Sequence, residues 1–272
     1  MNKVSVIIPV YNPQSKLVQD AIDSCLFQTG PVEMEIILVD DGTDLPIKWY
    51  NEVDRSDERI KFFQLGTNQG VAVAWDFGIQ QATGDWICPM ACDDFFHPDK
   101  TEVQLTYMKH TKAQFSYSGY RELFFDPSYV LQGVKMHDVA NVPDNDGKEI
   151  WKKLVEQDFG NNFINGAAVI MSKEVYNSVA GYDKRLRYKQ DYDLWLQIAD
   201  KHKVLGVPLP LMSRRIHSNQ AKKFFANDKV LNERYRRSIE YAIIKLKWMD
   251  ELQPILHPAV DKKVLREEGY ID

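Results

Sequence analysis

Asp93 and Asp94 follow directly on the apolar run Trp86-Ile-Cys-Pro-Met-Ala91, and adjacent carboxylates at the end of a buried strand repel unless a cation offsets them. No basic residue follows before Lys100, so a divalent metal is the economical partner, and oxygen ligands favour Mg²⁺ or Mn²⁺. A metal held by one or two carboxylates keeps open positions for phosphates, which predicts a nucleotide or pyrophosphate ligand. A second acidic pair, Asp40-Asp41, ends the run Glu35-Ile-Ile-Leu-Val and is placed to hydrogen-bond a ribose or base edge, while Tyr11 and Asn12 stand after Val4–Pro9. A single Asp in such a turn often does no more than cap the next helix. Neither GxGxxG after the first strand nor GxxxxGK[ST] anywhere is present, which speaks against dinucleotide redox chemistry and P-loop phosphoryl transfer.

Strands and helices must alternate to bring these acids together. Val4–Pro9, Glu35–Asp40, Ile60–Leu65 and Trp86–Ala91 read as buried strands, and Leu17 to Leu26, Val71 to Ala82 and about Pro98 to His110 as helices. That order implies right-handed crossovers and a mostly parallel α/β sheet, in which ligands sit outside the carboxyl ends of the strands. Beyond it, Arg121 to Gly147 has no clean period and reads as an excursion on the surface. Phe163–Met171 and Val204–Pro208 are predicted strands. Lys173–Val179, Asp191–Asp200 and a long amphipathic Glu233–Glu251 are predicted helices.

With 272 residues, 44% hydrophobic and 27% charged, the chain is long enough for a substantial core and is neither disordered nor collagen-like. Its formal net charge of −5 gives no overall pull toward a polyanion. Residues 214–247 are the exception, with ten lysines and arginines against Asp228, Glu233 and Glu240. A solvated helix face with a few diphosphate contacts is the simpler reading of this run, and contact with an anionic membrane surface or nucleic acid is the other. Cys25, Cys88 and Cys92 form no CxxC pair, which fits a reducing cytoplasmic setting. No stretch has the length and apolarity of a spanning helix, so association with the inner membrane face would be peripheral.

From Lys3 to about Gln220 the residues resemble the family 2 glycosyltransferases of the GT-A fold. Val4-Ser-Val-Ile-Ile-Pro-Val-Tyr-Asn12 is similar to that family's opening strand and Val39-Asp-Asp-Gly-Thr-Asp44 to its nucleotide-contacting turn. Asn68-Gln-Gly-Val-Ala-Val-Ala-Trp-Asp-Phe-Gly78 resembles its NxG-plus-helix segment, and Ala91-Cys-Asp-Asp94 its DxD-type metal motif. Gly181-Tyr-Asp183, Gln190-Asp191-Tyr-Asp-Leu-Trp195 and Arg215-Ile-His217 resemble the segments that carry the catalytic carboxylate and a late metal ligand.

The resemblance implies a single GT-A-like domain at 1–220, with a nucleotide-sugar half at 1–110, an acceptor and catalytic half at 111–220, and a helical extension at 221–272. It implies that Pro9, Tyr11, Asp40, Asp41, Asn68, Gly70 and Asp93 contact the nucleotide sugar, with Asp40 supporting the turn. Asp94 and His217 would hold Mn²⁺ or Mg²⁺, and Asp191 would be the general base of an inverting transfer. A UDP-sugar is the implied donor, and a polysaccharide, glycolipid or protein glycan the implied acceptor. At a helix start, the macrodipole favours an ionised Asp191, as a base requires.

Three departures stand out: Gln190 where the family has Glu, Asp76 where it often has Asn, and Ala91 at the first Asp of the metal motif. They motivate a catalytically lapsed sugar-nucleotide or glycan-binding module as the alternative, and the basic stretch motivates a transferase acting on modified nucleic acid. A nucleotidyltransferase shares the nucleotide–metal logic, but its Gly-rich, basic first turn is missing. Cys92 has no activating His and reads as a small buried thiol, and Trp75, Tyr192 and Trp195 read as core aromatics.

Overall fold

A computed structural model describes residues 2–44, 48–139 and 162–217, together with Ile150, Leu154, Glu240 and Ile244. The apolar runs of the N-terminal half form four parallel strands, β1 (Asn2–Val10), β2 (Val32–Asp40), β3 (Ile60–Gln64) and β4 (Trp86–Pro89), in the spatial order β3-β2-β1-β4. Ile7, Ile37 and Val39 enter the core on one face, while Val6, Ile8, Ile36 and Leu38 enter a second core on the other. Burial on both faces is why these strands are continuously apolar.

The helices of this half are α1 (Ser15–Leu26), α2 (Lys48–Glu52), α3 (Val71–Gln81) and α4 (Lys100–Thr111). Val18, Ala21, Ile22 and Cys25 of α1, Trp49 of α2, and Leu105 and Met108 of α4 fill one core, and Ala74, Trp75 and Ile79 of α3 fill the other. Each large apolar side chain buried this way contributes about 1.5–3 kcal/mol. Gly78 sets how close α3 comes to β1, since a Cβ there would stand 2.3 Å from Ile7 Cγ2.

The second half adds β5 (Phe95–Phe96), β6 (Phe115–Phe125), β7 (Leu131–His137), β8 (Val169–Ser172), α5 (Lys173–Asn177), α6 (Gln190–Lys201) and β9 (Leu205–Ile216). The sheet continues as β4-β8-β6-β9-β5, with β7 on β6. Here β6 and β9 run parallel, whereas β8, β7 and β5 are antiparallel to their neighbours. Parallel pairing therefore governs the first half and mixed pairing the second.

Three local expectations change. Residues 121–137 belong to the β6–β7 hairpin, whose outer strand is largely exposed on both faces and so shows no alternation of apolar and polar residues. Within 163–171 the strand begins only at Val169, because Asn165 Oδ1 accepts the Ala167 N–H at 2.9 Å and caps a 3₁₀ turn at Gly166–Ala168. The strand predicted at 204–208 runs on to Ile216, past Pro208 and Pro210, through register shifts on either side of Gly119 in β6. Such irregularities are how a strand accommodates residues that lack an N–H. The predicted 233–251 helix and the 221–272 extension lie outside the described residues except at Glu240 and Ile244, and both of these are buried.

Candidate active site

The carboxyl ends of β1, β2 and β4 lie along one edge of the sheet, and the acids found there differ in what they touch. Asp40 is fully buried, and its two oxygens accept the Thr43 N–H at 2.7 Å and the Trp49 indole N–H at 3.2 Å. Asp41 accepts the N–H groups of Gln69 at 2.8 Å and Gly70 at 2.9 Å, which ties the end of β2 to the start of α3. Burial pushes the Asp41 carboxyl up, and those two donors offset part of that. The close approach depends on Gly42, at φ +76°, where a Cβ would meet the Thr67 carbonyl carbon at 2.3 Å. Asn12 joins the rim by donating its N–H to Thr43 Oγ1 at 3.0 Å. Pro9 is buried at the end of β1, while Tyr11 and Asn68 are exposed on this rim.

Asp93 and Asp94 precede β5, and the pairing of β5 with β9 sets them against the end of β9. Asp94 Oδ1 accepts the Arg215 N–H at 3.0 Å, and Asp93 Oδ2 lies 3.2 Å from His217 Nε2. The Tyr129 ring, from the turn of the β6–β7 hairpin, packs 5.7 Å from the His217 ring. Burial, and then the neighbouring Asp93 charge, push the Asp94 carboxyl well up, and the Arg215 N–H with the Arg214 and Arg215 charges counter them in part. Burial also raises the Cys92 thiol, which fits an inert residue rather than a nucleophile.

Asp191 lies in the first turn of α6. Its Oδ1 accepts the Tyr192 N–H at 2.7 Å and its Oδ2 accepts the Asn162 side-chain amide at 3.0 Å. Burial raises this carboxyl, against the Tyr192 N–H, the Lys189 charge and the Asn162 amide. The turn leading into α6 is held from far along the chain: Glu240 accepts the N–H groups of Arg187, Tyr188 and Lys189, each at 2.9 Å.

Asp94 and Asp191 line one cavity of about 310 Å³, shared with Trp75, Tyr120, Asn162, Lys189 and Arg214. Among the sequence-predicted residues these two are the ones in its wall. Asp93 and His217 pair beside it, and Pro9, Tyr11, Asp40, Asp41, Asn68 and Gly70 belong to the neighbouring rim. Trp75 is a core aromatic as expected, stacked on Tyr182 at 5.4 Å, and it also lines the cavity. Tyr192 and Trp195 are core residues as expected. Asn162 and Glu240 escaped the sequence reading, since nothing local to them signals a contact with a partner so distant in the chain, and Arg214 was read only as part of the basic stretch. Arg214 and Arg215 of the basic stretch turn inward, Arg214 Nη1 to Glu122 at 3.3 Å and Arg215 Nη2 to Asp20 at 2.7 Å. The rest of that stretch, other than Ile216, His217, Glu240 and Ile244, lies outside the described residues.

Among the described residues no group of three or more His, Cys, Asp and Glu gathers where it could hold a metal ion. A buried carboxylate facing the cavity, with a carboxylate–imidazole pair beside it, fits a hard cation that takes its remaining ligands from a bound diphosphate. Among those residues, too, no helix is long and apolar enough to cross a membrane.

The sequence profile described as Glycosyl transferase family 2 matches residues 5–136. TuaG of Bacillus subtilis, a glycosyltransferase assigned to teichuronic acid biosynthesis, is 30% identical over 200 residues, which cover 73% of this chain and 72% of TuaG. An uncharacterized glycosyltransferase of Rickettsia felis is 29% identical over 215 residues, 79% of this chain and 33% of that protein. The chain spans a third of the length of that relative and 48% of a Haemophilus influenzae glycosyltransferase that is 40% identical over 121 residues. The crystal structure of S. aureus TarS 1–349 superposes with a TM-score of 0.60 at 16% identity, over 91% of this chain and 72% of that one. TarS 1–349 in complex with UDP-GlcNAc superposes with a TM-score of 0.57, over 90% and 73%.

Proposed function

Because the chain belongs to glycosyltransferase family 2, we propose that its cavity transfers a glycosyl group from a nucleotide-diphosphate sugar to an acceptor hydroxyl, with inversion at the anomeric carbon. The observation that carries this reading is that Asp94 and Asp191, brought from separate parts of the chain, line one cavity. A volume of about 310 Å³ is small for a ligand pocket, typically about 300–1,000 Å³, and suits the sugar and diphosphate end of a donor. The nucleoside then lies over the rim of Tyr11 and Asn68, whose shape Asp40, Asp41 and Gly70 maintain, with Pro9 beneath.

In the transfer, the acceptor oxygen bonds to the anomeric carbon as its proton passes to the Asp191 carboxylate. The bond from that carbon to the diphosphate breaks on the opposite face, and the leaving oxygen keeps the electron pair. Each Asp191 oxygen already accepts one protein hydrogen bond, which fixes the carboxylate plane and leaves a lone pair for the proton. Arg214 in the cavity wall offers positive charge where the diphosphate develops negative charge. Asp94, with Asp93 and His217 beside it, would hold Mn²⁺ or Mg²⁺. Such an ion supplies Lewis-acid neutralisation of the departing diphosphate.

Uridine as the nucleoside is supported by the UDP and UDP-GlcNAc complexes of TarS, and a glycan acceptor by the teichuronic acid assignment of TuaG. Thermal-shift screening of UDP-, GDP-, dTDP- and CDP-sugars with Mn²⁺ should single out a UDP-sugar as the strongest stabiliser, because ligands that bind the folded state raise its melting temperature. The same sugar nucleotide should release UDP when an acceptor glycan is added. Stabilisation without release across an acceptor panel would instead favour a lapsed binding module.

A further inference from the structure

Asn162 stands just before the 3₁₀ turn, far in sequence from α6, yet its side chain reaches the Asp191 carboxylate. The orientation of its amide is fixed by a second contact. Asn162 Oδ1 accepts the Ile164 N–H at 3.1 Å, so the group facing Asp191 Oδ2 at 3.0 Å has to be the donating Nδ2. Asp191 is thus gripped on both oxygens, by a backbone N–H at Oδ1 and by a pre-oriented amide at Oδ2, while both Asn162 and Asp191 face the cavity.

We propose that Asn162 is a positioning residue for proton transfer, holding the Asp191 carboxylate at a fixed angle to the cavity through a hydrogen bond that the charged carboxylate accepts more strongly than the neutral acid. This rests on Asp191 being the base. The site needs such a donor because burial works against the ionised form that a base requires, and a hydrogen bond to the carboxylate works for it. Other groups around Asp191 are Lys189 on the preceding turn, Tyr182 beside Trp75, and Asp94, Arg214, Tyr120 and Tyr188 in the cavity wall. Their charges set a background, whereas Asn162 makes a directional contact on one oxygen.

The test is an NMR titration of the full chain with ¹³C-carboxyl-labelled aspartate, the Asp191 signal being identified by its loss in Asp191→Asn. Asn162→Ala removes the donor and should move the Asp191 midpoint up by about one pH unit, the worth of one hydrogen bond to a charged group. Asn162→Asp has the same shape, keeps an acceptor for the Ile164 N–H, and puts a second carboxyl against the first, so its shift should be larger. A purely structural role predicts that Asn162→Ala leaves the Asp191 midpoint where the wild type has it, whereas repulsion moves it in Asn162→Asp under either role. An unmoved midpoint in folded Asn162→Ala would overturn the positioning role. Undiminished UDP-GlcNAc turnover by Asp191→Asn would overturn the base assignment beneath it.

Discussion

The carboxylates of the parallel half and those of the cavity belong to the same residue types but differ in what surrounds them. Glu35 is enclosed by Lys61, Ser5 and Thr83, and Asp40 by Thr43 and Trp49. Burial raises Glu35, but the Lys61 ammonium with the Ser5 and Thr83 donors outweighs it and holds the carboxyl at about 2. Asp94 and Asp191 have fewer compensating donors than Glu35 and line a cavity, and burial prevails in raising both. Asp41 is intermediate, raised by burial although two backbone N–H groups hold it. A carboxylate whose partners are all internal shapes the fold, and one left under-compensated beside a cavity is available for chemistry.

Substitutions at the two kinds of site should therefore fail in opposite ways. Asp94→Ala should lower UDP release by about 10²–10³-fold, as loss of a group stabilising the leaving diphosphate does. Its melting temperature should hold or rise, because a buried, under-compensated carboxyl is removed. Asp40→Ala should do the reverse. It leaves the Thr43 and Trp49 N–H groups without their acceptor and should cost about 2–4 kcal/mol in a urea unfolding titration. A drop in stability for Asp94→Ala matching that of Asp40→Ala would erase the distinction.

Glu35 gives the parallel half a pH signature. Its folded pKa lies below the unfolded value, so its contribution is complete above the unfolded carboxylate range and is lost as pH falls toward about 2. The gap amounts to roughly 3 kcal/mol, and Glu35→Gln should flatten the corresponding slope of stability against pH. A smaller effect is expected at Glu240, where Glu240→Gln should cost about 1–2 kcal/mol by weakening three hydrogen bonds to backbone. Because Tyr188 and Lys189 line the cavity, turnover at saturating donor should fall too. Unchanged turnover would mean that the turn before α6 keeps its place without Glu240.

Much of the parallel half was legible because its signals are local. The β-branched runs of β1 and β2 and the stripe of α1 follow from burial on known faces, and the acids at their ends mark where strands stop. β6 and β7 were not, since Phe115-Ser-Tyr-Ser-Gly119 mixes small polar residues into a buried strand and β7 sits exposed at an edge. In the site, Asp94 was legible from its place at a strand end, and Asp191 from the resemblance of Gln190-Asp191-Tyr-Asp-Leu-Trp195 to the family's catalytic segment. Asn162 and Glu240 were not, because each acts on a segment distant in the chain.

The most direct test of the cavity as the transfer site is the pH–rate profile of UDP release by the wild type and by Asp191→Asn, with UDP affinity measured alongside by calorimetry. If the proposed base Asp191 works ionised, then, because burial raises its carboxyl, wild-type turnover should fall on the acid side with a midpoint above the ordinary aspartate value. Asp191→Asn should bind UDP as the wild type does but lose about 10²–10⁴-fold in turnover and lack that acid limb. Wild-type rates with the acid limb intact in Asp191→Asn would contradict the assignment.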